Sequence, residues 1–77
     1  MESRAKIEYK RGAMTADLWN EQHPNVGVEV IYTPLLGGVE RIRTKTRSPA
    51  WVLGHGEAVV LVEGKAGGVP LWALEVL

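Results

Sequence analysis

The chain contains no cysteine. That excludes a disulfide framework, a thiolate nucleophile and a cysteine-built zinc site. It has two histidines, His23 and His55, with no pair at ligand spacing, so no metal site is expected. There is no phenylalanine. Valine and leucine must fill the core, with Trp19, Trp51, Trp72, Tyr9 and Tyr32 as the large aromatic fillers. There is no net charge either, because nine Lys and Arg balance nine Asp and Glu. Bulk electrostatics therefore draws the chain toward neither nucleic acid nor membrane. No apolar run approaches the roughly 20 residues of a membrane span. Residues 1–12 mix Glu, Arg and Lys around no apolar centre, so a signal peptide is not expected. Absence of cysteine suits a reducing compartment, and the expected location is the cytoplasm.

What is present fits one small domain. Seventy-seven residues allow a single, modest core. Residues 1–13 read as an extension, either flexible or an edge strand in which Ile7 and Tyr9 alternate with charged neighbours. Residues 14–77 read as the domain. Residues 15–22 suggest a short helix with Thr15 as N-cap and Asp17 in its first turn. Leu18 and Trp19 would face the core with Met14 or Gln22 beside them, and His23-Pro24 would end the helix. Val26, Val28, Val30 and Tyr32 alternate as the inward face of a strand. Pro34-Leu35-Leu36-Gly37-Gly38 is a turn. Residues 39–47 form a second strand, and Trp51 begins a short third one. Residues 57–63 are almost wholly apolar and read as a central strand covered on both sides. Several short strands with glycine turns predict a mainly β fold: a small SH3-like β-barrel of about five strands with one short N-terminal helix.

Two stretches carry resemblances. Gly67-Gly68-Val69-Pro70-Leu71-Trp72-Ala73-Leu74-Glu75-Val76-Leu77 resembles the end of an SH3 domain, in which a strand passes through proline and one 3₁₀ turn into a closing strand. The resemblance implies architecture more than activity. Ala73 stands where SH3 domains place a ligand-binding tyrosine, so recognition of proline-rich peptides is not implied. The pattern Trp19-Asn20, His23-Pro24, Val26-Gly27, Thr46-Arg47-Ser48, Ala50-Trp51, Leu53-Gly54-His55-Gly56 and Val62-Glu63-Gly64 resembles small phage- and prophage-borne proteins. That resemblance implies accessory or counter-defence work.

Three functional readings follow. In the first, the chain is a non-enzymatic binding module. Thr46, Arg47, Ser48 and Trp51, with Arg43 and His55 near, would cradle a small anionic, nucleotide-like ligand or dock on a host protein. The guanidinium would grip phosphate, the hydroxyls would donate, and the indole would stack. The bland counterpart is a strand end closed by Ser48 and Pro49, with Trp51 plugging the barrel. In the second, Arg41, Arg43, Lys45 and Arg47 form a cationic strand face for nucleic acid. The bland counterpart is a solvated outer face. In the third, Val69-Pro70-Leu71-Trp72 resembles the valine-containing tetrapeptide of small plasmid-borne dihydrofolate reductases, with proline where that family uses glutamine. No catalytic residue and no cofactor are expected, because no Ser, Cys or Asp stands to complete a relay with His55. An apolar C-terminus on a small core suggests a homo-oligomer.

Overall fold

A computed structural model describes residues 4–35 and 37–77. Residues 1–3 of the expected extension and Leu36 of the expected turn lie outside the described residues. Among the described residues the order is α1 (Arg4–Gln22), β1 (Glu29–Tyr32), β2 (Ile42–Lys45), β3 (Trp51–Val52), β4 (Ala58–Val60), β5 (Val69–Pro70), a 3₁₀ turn (Leu71–Ala73) and β6 (Leu74–Val76).

The strands form two antiparallel sheets of three, ordered β2-β1-β6 and β3-β4-β5. In the first, Val30 pairs with Thr44 and Val76, and Tyr32 with Ile42 and Leu74. Val30 and Tyr32 are buried while Glu29 is exposed, as the period-two pattern requires. In the second, β4 is central and buried throughout, and α1 packs across β3 and β4.

Two passages join the sheets. Thr46 prolongs β2 and bridges to Val62 beyond β4. The Arg47 and Glu63 amides donate across this corner to Leu61 and Lys45 carbonyls at 2.8 and 2.9 Å. At the other end, β5 runs through Pro70 (φ −66°) into the 3₁₀ turn and out into β6. Proline suits that step because its ring already fixes φ there. The sheets do not close into a barrel among the described residues, so the closed barrel expected from turn spacing is replaced by two small sheets joined at these corners.

The core between them is made of Val30, Val60, Val62, Val69, Tyr32 and four alanines, with Trp19, Val28, Leu71 and Leu74 at its margin. The expected aromatic filling therefore differs: Tyr9, Trp51 and Trp72 are exposed. Trp51 does not plug the interior. It pairs with Val59, and its ring lies over Gly68, where a β-carbon would come within 3.2 Å of the indole.

The largest departure is the helix. Residues 4–13, expected as a tail or edge strand, are its first half. Alanine, glutamate, lysine and arginine are strong helix formers, and Arg4 pairs with Glu8 at 3.0 Å one turn apart. Thr15 is therefore no N-cap: it is interior, and its hydroxyl donates to the Arg11 carbonyl at 2.9 Å. Trp19 packs inward as expected, but Leu18 and Met14 face out.

Gly12 explains how so polar a helix docks. A β-carbon there would collide with the Gly56 carbonyl oxygen and lie 2.7 Å from Val52 Cγ2. Gly56 has φ +97°, and a β-carbon on it would come within 2.8 Å of the Glu8 carbonyl. Backbone thus meets backbone where both side chains are absent.

Candidate functional site

The segment singled out by composition is a structural joint. Thr46 is 2% exposed, and its hydroxyl accepts from the Val28 amide at 3.0 Å. Ser48 Oγ accepts from the Leu61 amide at 3.0 Å and donates to the Pro49 carbonyl at 2.9 Å. Arg47 donates through Nε to the Val62 carbonyl and through Nη2 to the Lys65 carbonyl, both at 3.0 Å. Its guanidinium staples the loop between β4 and β5. Lys65 in that loop lies 5.6 Å above the Tyr32 ring.

Two cations of the comb, Arg41 and Arg43, are matched by acids across the sheet. Arg43 reaches Glu29 at 3.4 Å, and Arg41 reaches Glu75 at 2.6 Å. Such exposed pairs each add about 0–1 kcal/mol to stability. They also lower the positive field that a polyanion would meet on this face.

The candidate residues do not converge. Thr46 and Ser48 line a cleft of about 240 Å³ with Trp19, His23 and Val26 at the end of α1. Asn20 closes it: its side-chain amide donates to the Ala50 carbonyl at 2.9 Å and accepts from the Ala50 amide at 2.8 Å. Sequence reading missed Asn20; its signal was a poor helix former in the last turn. His55 lies elsewhere, on the wall of a second groove, and Arg47 and Trp51 line neither cavity. Gly56, the neighbour of His55, is held against α1.

That second groove has a volume of about 450 Å³. One wall is α1, with Glu8, Arg11, Gly12 and Thr15; the other is the turn at His55, Gly56 and Glu57 together with Leu71 and Trp72. The Gly12–Gly56 contact sets its floor. Trp72 is 59% exposed, and its indole N–H donates to Glu57 Oε2 at 3.5 Å. The groove thus offers an aromatic plate, a guanidinium, an imidazole and two carboxylates. By sequence Trp72 was expected as a core filler and within a reductase-like tetrapeptide; its 3₁₀ position lifts it to the surface.

No cluster of three or more His, Cys, Asp or Glu poised for a metal ion occurs among the described residues. No helix among them is long and apolar enough to cross a membrane. No protein-family model matches the chain, and comparison with curated proteins and with solved structures likewise yields no match.

Proposed function

We propose that this chain is a non-enzymatic binding module of SH3-like descent whose ligand lies in the groove between α1 and the 3₁₀ turn. The observation that carries the reading is the exposed Trp72 indole standing in an open groove. By contrast, the polar atoms of Thr46, Arg47 and Ser48 are already engaged by backbone groups. The passage from β5 through Pro70 and one 3₁₀ turn into β6 supports SH3-like descent, with the two sheets as an opened form of that barrel. An aromatic plate flanked by charges of both signs suits a segment of a partner protein better than a nucleotide, whose phosphates would meet Glu8 and Glu57. The resemblance to phage-borne proteins supports a host protein as that partner, in the bacterial cytoplasm, and counter-defence as its purpose.

The test is selection of short peptides from a random library on the wild type, counter-selected on Trp72→Ala. The selected peptides should shift the Trp72 indole and His55 NMR signals and lose at least tenfold in affinity on Trp72→Ala, about 1.4 kcal/mol. Shifts confined to the Arg41, Arg43 and Lys45 face, or saturable binding of nucleotides with no peptide selected, would overturn it.

A further inference from the structure

The groove between α1 and the 3₁₀ turn holds two charged groups that the chain leaves underused. Glu57 is half-buried on the turn wall. Its carboxylate accepts from the Trp72 indole N–H at 3.5 Å, longer than a usual N–H···O bond, and from no other group among the described residues. Arg11 stands on the α1 wall, with no ion pair or side-chain hydrogen bond among the described residues. Glu8, one turn earlier on that wall, is held by Arg4 at 3.0 Å. The arginines of the sheets differ from Arg11: Arg41 and Arg43 meet Glu75 and Glu29, and Arg47 holds two carbonyls.

The exposed Trp72 ring and the Glu57 carboxylate at its edge must be covered together. A ligand that takes water from the ring also takes water from that carboxylate. An aliphatic side chain would cover the ring and leave the charge with one long bond, which is costly. An acidic side chain would be repelled. An arginine meets both demands, because its guanidinium stacks on an indole and its planar fork of N–H donors reaches a carboxylate. Lysine supplies the charge without the plane. Arg11 then constrains the rest of the segment. A second base would be repelled there, whereas an acid would meet a fork of matching geometry.

We propose that the partner segment held in this groove is bipolar, with an arginine stacked on Trp72 and bonded to Glu57, and an acidic side chain bonded to Arg11. This rests on the peptide-groove reading above and gives that groove its selectivity. The two anchors stand on opposite walls, so the segment crosses the groove from the turn to the helix. A segment with charge of one sign sets like against like at one wall. Polybasic and polyacidic chains, nucleic acid among the latter, are thereby rejected.

Sequencing of short random peptides, selected on the full chain and depleted on Trp72→Ala, tests this. The pool should gain arginine and, at a fixed spacing from it, aspartate or glutamate. Replacing that arginine by citrulline keeps its shape and removes its charge, and should weaken binding about tenfold. Glu57→Gln should do the same, and the two changes together should cost little more than either alone. Arg11→Glu should weaken the selected peptides and restore those whose acid is changed to lysine, a rescue that a misfolded variant cannot give. Peptides that shift the Trp72 indole signal yet lack arginine would overturn the bipolar ligand and leave the groove reading standing. Peptides indifferent to Glu57→Gln and Arg11→Glu, or basic peptides with no acid, would do the same. Failure to select any peptide, or shifts confined to the Arg41 and Arg43 face, would overturn the groove reading and the bipolar ligand with it.

Discussion

Gly12 and Gly56 matter because each has no side chain where the other's backbone must be. In an exposed helix, Gly→Ala adds about 1 kcal/mol of stability through propensity. At Gly12 the added methyl would strike the Gly56 carbonyl and crowd Val52. Overpacking of this kind costs about 1–3 kcal/mol, and a backbone oxygen cannot swing aside as a side-chain end can. Taking the upper part of that range because the clash is with backbone, Gly12→Ala is expected to lose about 1–2 kcal/mol net by denaturant unfolding. Gly56→Ala should lose at least as much, since φ +97° adds strain to the approach of the Glu8 carbonyl. Gly54 is the control: nothing lies within 4 Å of a β-carbon there and its φ is not positive, so Gly54→Ala should be close to neutral. Equal effects at Gly54 and Gly12 would show that the backbone contact is not what holds the helix.

At the scale of the element, the loop between β4 and β5 is held by Arg47. Its fork reaches two carbonyls, of Val62 and Lys65. A lysine ammonium is a point donor that cannot span both. Arg47→Lys should lower stability by about 1 kcal/mol, the modest end for charge-assisted bonds because the side chain is largely exposed. Hydrogen exchange should quicken at the amides of residues 63–68 while β1 is unaffected. Unchanged exchange in that loop would refute the staple. Arg47 also shows what a sequence hides. Its partners lie far along the chain, so a residue read as a phosphate grip could not be seen to be occupied. Ser48, bonded to Leu61, is the same case. Elements set by local chemistry were legible: the alternation of Val28, Val30 and Tyr32, although Val26, expected to share their face, is exposed and precedes the strand, and the apolar run around β4; the proline-led 3₁₀ turn before β6 was legible through the SH3 resemblance. Residues 4–13 were not, because charged helix formers interspersed with Ile7 and Tyr9 fit a strand pattern as well as a helix. The contact that decides between them, Gly12 on Gly56, is tertiary. The groove was illegible for the same reason: its walls come from three separate segments, and of its residues only His55 had been read as part of a binding site.

For the whole molecule, the question is where the domain begins. The sequence suggests residue 14, with the preceding residues as an extension. In the structure Glu8, Arg11 and Gly12 lie against the turn at Gly56 or line one wall of the groove, and Gly12 packs on Val52. The core they help to shield is small: its largest fully buried side chains are all valines, Val30, Val59, Val60, Val62 and Val69. Such a core has little surplus against the loss of a packed element. A chain beginning at Met14 would keep only residues 14–22 of the helix. That is shorter than the roughly 12–15 residues below which isolated helices are marginal, so it would rest wholly on Ala16, Trp19 and the Asn20–Ala50 bonds. It is expected to fold with the same two sheets but to be about 2 kcal/mol less stable. For a domain of this size, that lowers the thermal midpoint by about 8–16 °C. Peptides selected on the groove should no longer bind, because Glu8, Arg11 and Gly12 are gone. A midpoint equal to that of the full chain would return residues 4–13 to the status of an extension. It would also leave the groove without a structural reason for its wall, because a helix half that contributes no stability would be free to leave Gly56.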